Sequence, residues 1–155
     1  MVFPVKRGMP APHFDLVSHW RLRATPERVW TILTDSPNWP KWWPYVRRVQ
    51  TLGDKRRRID WRTPLGYGFT VEVEVTESLP HERLRARSSG HMQGEGIWLL
   101  RQNGPHTDVT YVWRVTLPRG WMRWLAPLLA PLFRWNHSTV MRAGGEGLAR
   151  YLVYA

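Results

Sequence analysis

The chain has 155 residues, a net charge of +11, eleven tryptophans and no cysteine. That length suits one domain with a real core, while the lack of thiols excludes a disulfide framework, a cysteine nucleophile and a thiolate zinc site and fits a reducing cytoplasm. The start carries Lys6 and Arg7 but no apolar run, and the most apolar stretch, 124–133, is too short for a bilayer and contains Pro127 and Pro131, so neither a secretory signal nor a membrane span is expected.

Residues 1–12, broken by Pro4, Pro10 and Pro12, read as a flexible tail, and 13–155 as a single ligand-binding domain. From His13 the pattern alternates: Phe14, Leu16, Trp20 and Leu22 against Asp15, His19, Arg21 and Arg23, the period of a strand with one buried face. A short helix follows, with Thr25 as cap, Pro26 at its first position and Val29, Trp30 and Leu33 as its apolar stripe. The Pro- and Trp-rich segment Asp35 to Pro44 suits a helical turn or structured loop. Six strands are then predicted, over Val46–Leu52, Lys55–Arg62, Tyr67–Thr76, Arg83–Ser88, Met92–Gln102 and Asp108–Leu117, each bounded by Gly, Pro or Asn turn signals. After Pro118 the period becomes helical, with Pro127 and Pro131 expected to break or bend the helix and leave Pro118 to Ala126 as a separate cap. The fold class is thus α+β: a seven-stranded antiparallel sheet, one or two short helices after its first strand, and a long C-terminal helix.

Hairpin register follows from pattern. A turn about Leu65 sets Trp61 opposite Phe69 and Ile59 opposite Val71, with Arg58 and Arg56 facing Glu72 and Glu74 on the other side. A turn about Ser78 and Leu79 pairs Val71 with Ala86, Val73 with Leu84, Glu72 with Arg85 and Glu74 with Arg83. A turn about Gly104 and Pro105 pairs Trp98 with Tyr111, Leu100 with Val109 and Gly96 with Trp113, and turns Ile97 and Leu99 outward, which leaves a homodimer open. The basic run Lys55 to Arg58 and the alternating Arg83, Arg85 and Arg87 read as an exposed ion-pair ladder on the convex face. The alternative is attraction to an anionic membrane surface, aided by Arg119, Trp121, Arg123 and Trp124. Specific nucleic-acid binding is not expected, because the aromatic residues fall on the opposite face.

That face carries Trp20, Trp61, Tyr67, Phe69, Trp98, Tyr111 and Trp113. Any one of these rings suits a solid core, but the set is more aromatic surface than a sheet-on-helix layer readily interdigitates, and it favours a cavity with apolar walls and a few polar tips. Gly94 and Gly96 clear space on the same strand for Trp113 or for a ligand. On the last helix Leu129, Phe133, Asn136, Val140, Ala143, Gly144, Gly147 and Tyr151 form a sheet-facing stripe, in which the Asn136 amide either ties to backbone or water or orients a ligand.

The run from Ala24 to Trp30, then Asp35, Trp39 and Trp42-Trp43-Pro44-Tyr45-Val46, with Asn136 to Met141 and Gly147-Leu148 near the end, resembles the START-like and birch-pollen-allergen-like (SRPBCC) helix-grip superfamily, in its polyketide cyclase/dehydrase and lipid-transport branch. The resemblance implies a sheet curved around the long helix, a hydrophobic cavity between them, and a mouth near Trp39, Trp42 and Trp43.

No HExxH, GxSxG, Walker loop or complete GxGxxG occurs, and the histidines lack metal-ligand spacing. No metal or cofactor is expected and no catalytic residue is assigned; were the cavity an aromatase/cyclase-like or dehydratase-like enzyme, Tyr67 and Tyr111 would be the candidate hydrogen-bonding groups, with Arg62 and His19 near strand ends. The favoured reading is binding, sequestration or transfer of an aromatic, polyketide-like or lipid-like molecule, in the cytoplasm or peripherally at a membrane.

Overall fold

The computed structural model describes residues 13–90, 92–116 and 122–154, with the side chains at 13, 14, 122–127 and 129 outside that set. In chain order it contains β1 (His13–Leu22), α1 (Pro26–Thr34), a 3₁₀ segment (Ser36–Lys41), β2 (Val46–Thr51), β3 (Arg56–Arg62), β4 (Gly68–Leu79), β5 (Arg83–Gly90), β6 (Gln93–Asn103), β7 (His106–Thr116) and α2 (Met122–Tyr154). The strands form one antiparallel, curled sheet in the order β1-β7-β6-β5-β4-β3-β2, with α2 against its concave side.

Local chemistry accounts for the element boundaries. Thr25 caps α1 by accepting a hydrogen bond from the Arg28 N–H at 3.3 Å, and Pro26 occupies the first turn, where no amide donor is needed. The β3–β4 hairpin has the register that its side chains demand: Trp61 opposite Phe69, Ile59 opposite Val71, Arg58 opposite Glu72. The β6–β7 hairpin pairs Trp98 with Tyr111 and Gly96 with Trp113.

Between β4 and β5 the structure corrects the expected register. Val71 lies opposite Gly90 and Val73 opposite Ser88, because β4 continues through Leu79 and the chain turns at Pro80 and His81. His81 has φ 68°, and the Glu82 N–H donates to the Leu79 carbonyl at 3.1 Å. Proline at the second position and a positive φ at the third make a tight turn that Leu79-Pro80 alone did not place. The register also shifts between Val75 and Glu77, where Thr76 bulges. That extra residue turns Glu77 outward, where it bridges Arg83 at 3.0 Å and Arg85 at 3.3 Å, instead of the expected Glu74–Arg83 and Glu72–Arg85 pairs. Arg56 and Arg58 both reach Glu72, and Arg85 also reaches Glu95.

The long helix runs without interruption across 127 and 131, so the two prolines do not break it. The expected cap, Pro118 to Ala126, lies largely outside the described residues. Farther along, α2 is held by two indoles, one from the sheet and one from the segment before β2. Trp20 of β1 donates its Nε1–H to the Met141 carbonyl at 2.9 Å, and Trp43 donates to the Val140 carbonyl at 2.8 Å. Glycines let the rings in: a Cβ at Gly144 would stand 2.5 Å from Trp43 Cε2, and one at Gly145 2.6 Å from Trp20 Cδ1. At Gly147 a Cβ would collide with the Trp42 carbonyl.

Glycine inside a helix ordinarily costs about 1 kcal/mol relative to alanine, so Gly144→Ala and Gly145→Ala would stabilise an unobstructed helix. Here the obstruction is a rigid, buried ring, and overpacking of that kind costs about 1–3 kcal/mol. Each alanine variant is therefore expected to lose stability, by up to roughly 2 kcal/mol, while Gly53→Ala, with no atom within 4 Å of the new Cβ, stays near wild type. Urea unfolding checks this, and a more stable Gly144→Ala protein would disprove the indole notch.

Candidate functional site

Between the concave sheet and α2 lies a cavity of about 520 Å³. Alternation along the strands supplies its walls: Ile59 and Trp61 from β3, Phe69, Val71 and Val73 from β4, Leu84 and Ala86 from β5. Trp61 and Phe69, cross-strand partners, stack with centroids 6.3 Å apart and planes 12° apart. Trp98 and Tyr111 stack at 4.2 Å. Trp39 and Trp43 enter from the 3₁₀ segment and the residues after it. From α2 come Phe133, Asn136, His137, Val140 and Met141.

Most of the expected aromatic set converges here: Trp39, Trp43, Trp61, Phe69, Trp98, Tyr111 and Trp113 all line the cavity, as do Phe133, Asn136 and Val140. Three expected members do not. Tyr67 precedes β4 in the turn and is 47% exposed, because the 63–67 turn bonds backbone to backbone and leaves its ring outside. Trp20 is buried behind the wall, its N–H committed to α2. Trp42 is buried against Trp39 and Trp43, stacking on Trp43 at 5.4 Å. The side chain of Leu129 lies outside the described residues. His19 and Arg62 are exposed, with His19 beside the Thr110 hydroxyl at 3.3 Å. The space above Gly96 holds the Tyr111 ring, not Trp113: a Cβ there would stand 2.7 Å from the Tyr111 hydroxyl.

Sequence reasoning missed His137. The α2 stripe through Phe133 includes position 137 as readily as 136, and choosing Asn136 as its polar member hid the neighbour. The imidazole is buried, stacked on Trp113 at 5.3 Å and on Tyr111 at 6.3 Å. Its Nε2, the Asn136 Oδ1 and the Ser88 Oγ have no hydrogen-bond partner among the described residues. Burial lowers the His137 pKa to about 4 and raises that of the Tyr111 phenol above its ordinary range. At neutral pH both groups are therefore uncharged, a neutral acceptor and donor in an apolar chamber.

One end of the cavity is ringed by Thr34 and Ser36, by Asp54 and Lys55 of the β2–β3 turn, and by Ser78, which the Thr76 bulge brings inward. These segments meet: the Val75 N–H donates to the Lys55 carbonyl at 2.9 Å, and the Trp30 ring stands edge-on to His81 at 6.2 Å. Arg57, counted in the sequence as part of the outer ladder, lines the same end. On the convex side Leu99 is exposed and Ile97 half-buried. Arg119 and Trp121, and the side chains of Arg123 and Trp124, lie outside the described residues. Among the described residues no group of His, Cys, Asp or Glu is arranged to hold a metal ion, and no helix is long and apolar enough to cross a membrane.

Residues 14–153 match the family model described as polyketide cyclase / dehydrase and lipid transport, and the chain belongs to that family. No curated protein matches it. Among solved structures it is similar to a START superfamily protein from Mycobacterium smegmatis, at 15% identity over 90% of this chain and 97% of that one, with TM-score 0.69. A Thermus thermophilus protein aligns at 19% identity over 89% of this chain and 99% of its own, with TM-score 0.67. The di-domain ARO/CYC BexL from the BE-7585A biosynthetic pathway aligns at 20% identity and TM-score 0.72, over 89% of this chain and 49% of that protein. At these identities the likeness is one of fold.

The depressed His137 pKa carries a stability consequence. An unfolded histidine with pKa near 6.5 binds protons that the folded one refuses down to about 4, so the contribution is fully present above pH 6.5 and is lost as pH falls through that interval, by roughly 3 kcal/mol at most. The carboxyls of Glu72, held low by Arg58, and of Asp108, held low by Asn103 and Arg21, act at lower pH. His137→Phe keeps the stacking and removes the titration. Its unfolding free energy should vary much less than wild type across this interval in urea titrations, and equal pH profiles would refute the assignment.

Proposed function

We propose that this member of the polyketide cyclase / dehydrase and lipid transport family binds a hydrophobic small molecule, aromatic, polyketide-like or lipid-like, inside the cavity, and sequesters or transfers it. The observation that carries this reading is the chamber of about 520 Å³, walled by Ile59, Val71, Val73, Trp61, Phe69 and Trp98 and tipped by the Ser88, Asn136 and His137 polar atoms, which have no partner among the described residues. An apolar guest would restore the dispersion contacts that a hollow forfeits, while Asn136, Ser88 and the Tyr111 hydroxyl would orient it by hydrogen bonds.

A second reading is an enzyme of the aromatase/cyclase kind, named for BexL among the structural relatives. It is favoured by the stacked Tyr111 and His137, both uncharged and facing the same chamber. The phenol would donate to a carbonyl as it becomes an enolate, and the imidazole would accept the carbon-bound proton. Holding a flexible chain folded in the chamber would supply most of the acceleration.

Native mass spectrometry of the purified protein and titration with the neutral dye Nile red test the binding reading. Val73→Trp and Ala86→Phe place new rings in the chamber and are expected to weaken dye affinity at least about tenfold while far-ultraviolet circular dichroism stays unchanged. Dye binding indifferent to both rings would locate the guest elsewhere. For the enzymatic reading, Tyr111→Phe should reduce turnover of a poly-β-ketone substrate about a hundredfold with ligand affinity nearly unaltered; undiminished turnover removes Tyr111 from that role.

A further inference from the structure

Arg57 sits on β3 two residues before Ile59 and four before Trp61, so strand alternation places it on the inner face with them, and all three line the cavity. Its neighbours Arg56 and Arg58 face outward onto Glu72 at 3.1 and 2.8 Å. Arg57 has no such partner: among the described residues it joins no ion pair, and neither does Lys55, which lines the same rim. What Arg57 does have is an anchor. Its Nη1 donates to the Gly53 carbonyl at 2.6 Å and to the Arg56 carbonyl at 2.9 Å. The Nε–H is covered and unpartnered among the described residues, while the Nη2 makes no hydrogen bond to them, so Nη2 is the donor left for a guest.

Nη2 belongs to a permanent cation, and its N–H groups make short, charge-assisted hydrogen bonds to a carboxylate. A guanidinium turned toward apolar walls without a counter-charge is costly unless an anion meets it there. Asp54 is the carboxylate on this rim, and it is not paired with either cation, so Lys55 and Arg57 leave the rim net positive. Immediately inward come Ile59 and Val71, both buried, and Val73, the cross-strand partner of Arg57. A positive rim therefore opens directly onto an apolar chamber.

From this juxtaposition we infer that the molecule held in the cavity is an acidic amphiphile: an apolar body along Ile59 and Val73 with one carboxylate seated on Nη2 of Arg57, beside Lys55. The inference rests on the cavity-binding reading and specifies the class of its ligand. The same chemistry is offered by a fatty acid and by an aromatic carboxylic acid.

Displacement of bound Nile red from the full chain tests it, using tetradecanoate against tetradecanol and anthracene-carboxylate against anthracenemethanol, at a pH where both acids are ionised. At least one acid should compete about tenfold or more better than its matched alcohol, with the gap narrowing as salt is added; which pair shows the gap tells a chain from a ring. Arg57→Gln should erase the gap and leave the alcohols unchanged, and Arg57→Lys, which keeps the charge but not the anchored guanidinium donors, should keep only part of it. Should Nile red bind and be displaced equally by acid and alcohol, or the gap survive in Arg57→Gln, the acidic-ligand inference fails while the cavity reading stands. Should neither the dye nor any of the four compounds bind, the cavity reading fails and takes this inference with it.

Discussion

The structure depends on the seating of two indoles in a notch on α2. Val140 and Met141 present successive carbonyls, each with a second lone pair free after its helical bond, and these accept the N–H groups of Trp43 and Trp20. One turn later, Gly144 and Gly145 withhold the side chains that would block the rings. The helix gives up intrinsic stability at each glycine and gains two large, hydrogen-bonded aromatic contacts. Trp43, 1% exposed, also meets Trp20, Trp39, Trp61 and Trp98, so it joins the helix, the 3₁₀ segment and the sheet in one aromatic cluster.

The same notch explains why there is a hollow. Where α2 has glycine at 144, 145 and 147, backbone and ring approach closely. One to three turns earlier it carries Phe133, Asn136, His137 and Val140, and these face a chamber rather than the sheet itself. A helix pinned tightly along one stretch and bearing full-sized side chains along the preceding one leaves space between itself and a curved sheet. The large rings, too many for a solid core, thus divide into two groups: Trp20, Trp42 and Trp43 make the clamp, and Trp61, Phe69, Trp98 and Trp113 make the wall, with Trp43 shared between them.

What the sequence disclosed follows from which constraints are local. The β3–β4 register was legible because its turn is short and every pair across it makes sense on both faces, Trp61 with Phe69 inside and Arg58 with Glu72 outside. The β4–β5 register was not, since alternation survives a shift by an even number of residues, and nothing in the pattern announces the bulge at Thr76. Most of the wall was legible from alternation alone, but Tyr67 was assigned inward by assuming that the strand began one residue early. The clamp was hidden because it depends on an approach between residues about a hundred positions apart. His137 was hidden by helical geometry, in which 136 and 137 straddle one stripe.

Arg57 shows how a charge run conceals two populations. Lys55 to Arg58 reads as one basic patch, yet on a strand alternate members face opposite ways. Those on the convex side find acids, as Arg56 and Arg58 do on Glu72, and Arg83 and Arg85 do on Glu77. In water such pairs add little stability, but they balance charge locally and leave that face a ladder rather than a field. The inward members have no acid opposite, because β4 presents Val73 there. Positive charge is thereby placed at the rim of an apolar chamber, where an opposing charge counts more than on the open convex face, and Arg134 of α2 adds a further cation to the lining. A site of that composition distinguishes its guests by the charge at one end, since the apolar walls hold any ring or chain of suitable size with little preference.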